Sequence, residues 1–108
     1  MIRIHRRGES GCRTLDPADT PIVDDDVLWV DLVSPTREEE LSIEAALGGL
    51  ALPTREEMAE LEASSRLYRE DGATYVTVDL LHRGDEETPV LDPVTFVISP
   101  GPLVTIRY

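Results

Sequence analysis

The chain has a single cysteine, Cys12, so it cannot form an internal disulfide, and this composition fits a reducing compartment. It contains no apolar run that approaches the roughly 20 residues needed to cross a membrane as a helix. Its first residues, MIRIHRRGES, lack the apolar segment that marks a signal peptide. We therefore expect a soluble polypeptide of cytoplasmic type, and the length of 108 residues predicts a single domain, 1-108.

Basic residues are scarce, because ten of them stand against 22 aspartates and glutamates, which gives a formal net charge of −12. Nucleic acid is not an expected partner, since phosphate binding needs a basic surface. Divalent cations and basic protein surfaces match this charge better. The sequence also has no nucleophile elbow, no phosphate-binding loop and no dinucleotide-binding glycine motif. We expect no enzyme, no catalytic residue and no required cofactor.

Three isolated features resemble sites, and each has a simpler interpretation. Asp24, Asp25 and Asp26 are adjacent carboxylates, but a calcium loop needs alternating ligands and a distal glutamate, so we interpret them as a solvated loop. His5 has no second histidine or cysteine at metal-site spacing, so we assign it to the surface of a strand. Asp79 lies between two apolar residues, and we place it on the polar face of a strand.

Two helix starts share the string Pro-Thr-Arg-Glu-Glu, which occurs twice in the chain. Thr54 and Glu57 have the spacing of a capping box, in which each side chain hydrogen-bonds to the backbone N–H of the other residue. For the first helix, two residues are possible N-caps. Ser34 can cap with a proline at the first helical position, or Thr36 can cap in a second box with Glu39.

Strands are predicted where apolar residues alternate or run together. The segments are Met1–Arg7, Val27–Val33, 64–70, 73–81, Val90–Ile98 and Leu103–Tyr108. Asp71-Gly72 favours a type I′ turn between two of them, and Gly8 to Pro21 reads as polar turns. Trp29, the sole tryptophan, is expected to anchor the core. The order predicts an α+β fold, with two short helices inserted after the second strand of a mixed, largely antiparallel β-sheet.

Three stretches in order resemble a known family: WVDLVSPTREEE, ALPTREEMAELEASSRLYREDGATYVTVDLL and PVTFVISPGPLVTIRY. They are similar to the amino-terminal cytoplasmic domain of the CorA family of divalent-cation transporters, which includes magnesium and cobalt channels and the ZntB zinc transporters. The resemblance runs from Trp29 to Tyr108 and rests on the ordered set rather than on one piece. It implies the first part of a larger α/β/α domain at the cytoplasmic side of the bacterial inner membrane.

Members of that family are homopentamers, in which this domain leads into a long helix and two membrane helices. The resemblance therefore implies a regulatory domain that couples the cytoplasmic ion level to the state of a pore, with divalent metal ions and copies of itself as partners. In magnesium-gated relatives an acidic pair near the start of the second helix helps to bind the regulatory ion between subunits. By position Glu57 matches the first member of that pair and Met58 the second.

A thioether is a poor ligand for Mg²⁺, which prefers oxygen. The candidate ligands are therefore Glu56 with Glu57, unless the chain is not gated in this way. Both glutamates can also be first-turn acids that serve only the cap and the helix dipole. A different class of function stays open as well: a stand-alone acidic adaptor that binds a basic partner. Alone, the 108-residue chain is expected to be a monomer or a weak oligomer.

Overall fold

A computed structural model describes residues 1–62, 66–83 and 88–108 and arranges them as one β-sheet with two short helices. The elements in chain order are β1 (Ile2–Arg6), β2 (Arg13–Leu15), β3 (Val27–Val33), α1 (Arg37–Ala46), α2 (Arg55–Ala59), β4 (Leu67–Glu70), β5 (Ala73–Arg83), β6 (Pro89–Ile98) and β7 (Leu103–Arg107). The strands lie in the order β2-β1-β3-β7-β6-β5-β4. Within the described ranges only β3 and β7 pair in parallel, so the mixed, largely antiparallel sheet of an α+β fold is confirmed.

The helices follow the third strand, whereas the sequence predicted them after the second. The difference is β2, a strand of three residues within the segment predicted to be polar turns. It pairs with β1 from Ile2–Leu15 to Ile4–Arg13. Three residues that are largely exposed show no apolar alternation, so this strand gives no period-two signal in the sequence.

Both helices begin with the predicted capping boxes. The N-cap of α1 is Thr36, whose hydroxyl accepts from the Glu39 N–H at 3.2 Å, while Glu39 Oε1 accepts from the Thr36 N–H at 3.0 Å. This geometry excludes Ser34 as the cap. Thr54 and Glu57 exchange the same two bonds at α2, each at 3.2 Å. Each cap satisfies backbone donors that the first helical turn leaves without partners.

Two chain reversals, of which the sequence predicted the second, use left-handed backbone. After α1, Gly48 and Gly49 have φ of +73° and +93°, a conformation that ends a helix and that glycine adopts without steric cost. Between β4 and β5, Asp71 and Gly72 have φ of +49° and +82°, as a type I′ turn requires. The prediction of a hairpin there is confirmed by the antiparallel pairing of its two strands.

The core lies between the two helices and one face of the sheet. From the helical side come Ile43, Leu52 and Met58, all buried. From the sheet come Ile2, Ile4, Val30, Leu32, Ala73, Tyr75, Val97, Val104 and Ile106. Burying each large apolar side chain contributes about 1.5–3 kcal/mol, so this layer is the main source of stability.

The opposite side of the sheet has no helix packed on it within the described chain. We call this side, which bears Trp29, Asp31, Phe96 and Ile98, the open face. Trp29 is 36% exposed, its indole N–H donates to Thr105 Oγ1 at 2.8 Å, and its ring stacks on His5. The expectation that Trp29 anchors the core is therefore wrong. Strand alternation places Val30 and Leu32 of β3 in the core instead.

The β5–β6 hairpin extends beyond the rest of the sheet. These strands pair with each other from Thr74–Ile98 to Arg83–Pro89, but β7 pairs with β6 only over Val94–Val97. Pro93 therefore lies where β6 has no neighbour on the β7 side, which suits a residue without a backbone N–H. The overhanging part of the hairpin has described side chains that are largely exposed.

Some predictions fall outside the described residues. Ser64-Ser65, at the start of the predicted strand 64–70, belong to this group. The second helix, whose start was predicted from the capping box at Thr54, spans only five residues. Over the described ranges no helix combines the length and the apolar character that crossing a membrane requires.

Candidate functional site

The candidate metal ligands, Glu56 and Glu57, lie side by side in the first turn of α2 and are exposed. Glu57 is committed to the cap through its bond to the Thr54 N–H. The Glu56 carboxylate makes no hydrogen bond or salt bridge with the part of the chain that the structure describes. The structure therefore leaves Glu56 and the second oxygen of Glu57 open to solvent.

Met58 is buried, so its sulfur cannot reach an ion in solvent. It is 3% exposed and belongs to the core between α2 and the sheet. Met58 is the buried residue of the five-residue helix α2, and its side chain packs in the core against the sheet. A thioether side chain suits such burial.

A polar junction lies beside this helix and joins α1, α2 and the residue after β7. The Tyr108 hydroxyl donates to the buried Glu40 carboxylate and lies 3.3 Å from the Pro53 carbonyl oxygen. Arg37 donates to the other Glu40 oxygen at 2.9 Å, and the Arg55 guanidinium lies 5.9 Å from the centre of the Tyr108 ring. The buried carboxylate thus has both a charged and a neutral donor, as burial of a charge requires.

The pKa of Tyr108 is raised, first by its burial and then by the hydrogen bond to Glu40, so the phenol stays protonated and keeps donating. The sequence did not reveal this junction. Glu40 has the pattern of a first-turn acid, and Tyr108 reads as the end of a strand. Nothing in their separate patterns indicates contact, because 68 residues separate them along the chain.

By themselves, the two carboxylates at α2 can bind a divalent ion only weakly. Mg²⁺ accepts one or two carboxylates and keeps several of its waters, so Glu56 and Glu57 suit it chemically. However, the described residues contain no group of three or more histidine, cysteine, aspartate or glutamate side chains that could hold a metal ion. A stable regulatory site would therefore need ligands from outside the described residues, such as those of a neighbouring subunit.

The other polar residues considered as site candidates each pair with a neighbouring side chain. Asp24 accepts from Arg6 at 2.5 Å, and this hydrogen bond is the main reason that the pKa of Asp24 is lowered. Asp79 forms a salt bridge with Arg66 at 3.2 Å, and His82 hydrogen-bonds to Asp92. These pairs account for the polar atoms locally and give no catalytic arrangement among them.

Comparison with known proteins supports the resemblance seen in the sequence. The chain is 33% identical over 82 residues to the magnesium transport protein CorA of Salmonella typhimurium, a match that covers 76% of this chain and 26% of that protein. It is 32% identical over 80 residues to the protein of the same name from Escherichia coli K12, covering 74% and 25%. No family model matches the chain.

The chain is thus related in sequence to CorA magnesium transport proteins over three quarters of its length. It spans about a quarter of the length of these curated relatives. Both relatives are named as transport proteins rather than as enzymes.

Proposed function

We propose that this chain is the first part of the cytoplasmic domain of a CorA-like transporter of divalent cations: magnesium, cobalt or zinc. The observation that carries the proposal is the 33% identity to a magnesium transport protein over 82 residues. The transporter proposal requires a reading frame that continues past Tyr108 into a long helix and two apolar spans of about 20 residues each. A reading frame without these spans favours the acidic adaptor instead.

We propose further that the chain belongs to a larger α/β/α domain. The open face supports this, because a sheet with one apolar face on a helical layer and a second apolar face in water is an incomplete arrangement. Trp29 and Phe96 are the only tryptophan and phenylalanine of the chain, and both lie on that face. Large aromatic side chains contribute most to stability when a second layer covers them.

The regulatory role is proposed for Glu56 and Glu57. In a homopentamer, neighbouring copies of this chain, each with a formal net charge of −12, repel one another. A cation bound between them, with these carboxylates among its ligands, lowers that repulsion and favours a closed ring. Loss of the ion lets the subunits separate. Ion binding then shifts a two-state equilibrium through its different affinity for the two arrangements.

Paramagnetic Co²⁺ tests this site in the chain itself, because it broadens the NMR signals of nearby amides. We expect the strongest broadening at Arg55 to Met58, competed by Mg²⁺, and a loss of most of it in Glu56→Gln and Glu57→Gln. Neither change should unfold α2, since Glu56 is solvent-exposed and glutamine at position 57 keeps the oxygen that accepts from Thr54.

The matched control is Glu38→Gln, which removes an exposed first-turn carboxylate from α1 and should leave the broadening at α2 unchanged. Broadening centred on the Asp24–Asp26 loop, or equal losses in all three variants, would contradict the assignment of Glu56 and Glu57. Equal losses would mean that the ion is attracted by the net charge of the chain rather than bound at a site.

A further inference from the structure

Helix α2 has too few residues to hold its own position. It spans only Arg55–Ala59, and an isolated helix shorter than about 12–15 residues is marginal in water. Its place on the sheet therefore depends on contacts with other elements. Met58 supplies one of them, since it packs in the core. Tyr75 supplies another, because its hydroxyl donates to the Ala51 carbonyl oxygen at 2.6 Å, in the segment that leads into the helix.

Tyr108 contacts the start of α2 itself. Its hydroxyl lies 3.3 Å from the carbonyl oxygen of Pro53, the residue before the N-cap. The guanidinium of Arg55, the first residue of the helix, lies over the Tyr108 ring at 5.9 Å from its centre. Among the described residues Arg55 forms no salt bridge, although the chain has a net charge of −12. The face of the ring is therefore the partner of this cation.

The same hydroxyl ties Tyr108 to α1. It donates to Glu40, which is 4% exposed and also accepts from Arg37 at 2.9 Å. Tyr108 directly follows β7, which pairs with β3 on one side and with β6 on the other. One phenol thus joins α1 and the start of α2 to the central strand of the sheet. Its loss would deprive a buried carboxylate of a donor, which is costly.

The junction around Tyr108 lies within electrostatic reach of the candidate ligands. Burial and the bond to Glu40 raise the pKa of Tyr108, and the charge of Glu56 raises it further. The bond to Glu40 raises the pKa of Arg37, and the charge of Glu57 contributes as well. Since such influences decline with distance, both candidate ligands lie near the junction. A shift of the junction therefore changes the surroundings of both carboxylates.

We propose that Tyr108 is the positioning residue of the candidate ion site: it holds the start of α2 against the end of β7 and so orders Glu56 and Glu57 in advance for a divalent ion. Ligands that are fixed before binding lose less conformational entropy on binding, so the ion binds more tightly. This role rests on the proposed function, because it presumes that the two glutamates bind an ion.

Positioning of this kind also couples the ion site to the sheet. Linkage between two equilibria is reciprocal. If the docked form of Tyr108 raises the ion affinity, a bound ion favours the docked form by the same factor. Ion binding at α2 then stabilises the contact between this helix and the end of β7, the strand at the centre of the sheet.

Amide hydrogen exchange in Tyr108→Phe tests the positioning. This change removes the hydroxyl but keeps a ring under Arg55. The Met58 and Glu60 N–H groups report on α2, because both donate to carbonyl oxygens four residues earlier. We expect both to exchange at least about tenfold faster, while the slowest amides of β6 and β7 change by less than about threefold. A general loss of stability would instead speed all of these amides together.

A second variant tests the same contact from the exposed side. Arg55→Gln removes the cation over the Tyr108 ring at an exposed position, so the fold should be kept, as far-ultraviolet circular dichroism can check. It should speed exchange of the Met58 and Glu60 amides about threefold, because the cation–π contact is the weaker of the two attachments. No change in these amides would show that the ring does not hold Arg55.

The Co²⁺ experiment measures the effect on the ion site. The Co²⁺ concentration that gives half-maximal broadening at α2 should rise at least about threefold in Tyr108→Phe, since a loosened helix must be ordered on binding. The matched control is Tyr68→Phe. It removes a hydroxyl that makes no hydrogen bond with the described residues from a ring that stacks on Tyr75. It should leave the exchange rates and the Co²⁺ concentration unchanged.

Unchanged exchange at α2 in Tyr108→Phe would overturn the positioning role. So would equal acceleration of helix and sheet amides, or the same effect in Tyr68→Phe. A wild-type chain without Co²⁺ broadening at α2 would contradict the ion site itself, whereas the exchange rates would still decide whether Tyr108 holds the helix. Broadening that needs the same Co²⁺ concentration in Tyr108→Phe as in the wild type would keep the ion site and reject its dependence on Tyr108.

Discussion

The two faces of the sheet have the same strands and a similar apolar content, but only one of them is covered. On the helical side Val30, Leu32, Val104 and Ile106 are completely buried. On the open face Leu67 and Ile98 are more than half exposed. Strand alternation thus determines which side chains lie on each face of the sheet. The position of the helices decides which of the two apolar faces becomes the core.

Strand β5 shows the difference most clearly. Its more apolar side, with Val76 and Val78, belongs to the open face and is half-buried. Its other side places Tyr75 and Thr77 under the helices, both at most 3% exposed. Thr77 can be buried because its hydroxyl bonds to that of Thr95 at 2.7 Å. A buried polar side chain with a partner costs little, so polarity alone does not identify the outer face.

The largest expected effect is the difference in stability lost when one leucine on each face is truncated. Leu32→Ala, on the covered face, should lower the free energy of unfolding by about 2–5 kcal/mol, because it leaves a cavity among side chains that are fully buried. Leu67→Ala, on the open face, should change the free energy of unfolding by less than about 0.5 kcal/mol. Urea unfolding at a concentration where the chain is monomeric measures both. Equal losses would mean that the open face is already covered.

A smaller effect is expected from the polar network on the open face. Asp31→Ala removes the acceptor of the Thr105 hydroxyl and should cost about 1–3 kcal/mol, since both groups are buried. Asp31→Asn keeps an acceptor and should cost less. Urea unfolding of the two variants, with Asp92→Ala as a control in an exposed pair, measures the difference. A loss in Asp92→Ala as large as that in Asp31→Ala would show that burial of the network is unimportant.

The smallest expected effect is a dependence on pH of the stability that Glu39 contributes at the start of α1. Partial burial raises the pKa of Glu39, but hydrogen bonds from the Thr36 N–H and the Met1 ammonium group outweigh it, so the net shift is downward. A lowered carboxyl pKa adds stability that is present above the unfolded value of about 4.3, and this stability is lost as the pH falls through the folded value.

The difference in unfolding free energy between the wild type and Glu39→Gln should therefore shrink as the pH falls from 7 to 3. Measuring the difference removes the effect of other carboxylates, which protonate over the same range in both proteins. A difference that stays constant with pH would contradict the role of the Glu39 charge. Glu38→Gln, which removes an exposed carboxylate from the same helical turn, is the control.

Local features of the fold were predictable from the sequence. The capping boxes of Thr36 and Thr54 and the turn at Asp71-Gly72 follow from side chains that contact their own neighbours in the chain. The side of the sheet that Trp29 occupies was not predictable in this way. It depends on the parallel pairing of β3 with β7, and that contact joins residues more than 70 positions apart.

The candidate site divides in the same manner. Glu56 and Glu57 were placed in the first turn of a helix by pattern alone, and the structure has them there, while their role as ligands stays a prediction. The burial of Glu40 by Tyr108 was not predictable, because it results from the meeting of α1 with the end of β7. Contacts between distant segments leave no periodic signal in either segment.

The place of β7 in the sheet has a consequence for the order of folding. It is the last strand along the described chain, but it lies at the centre, between β3 and β6. Until it is synthesised, the earlier strands can form only two separate three-stranded sheets, β2-β1-β3 and β6-β5-β4, each with an unpaired inner edge. Completion of the seven-stranded sheet must therefore wait for β7, and until then the two edges are exposed to mispairing.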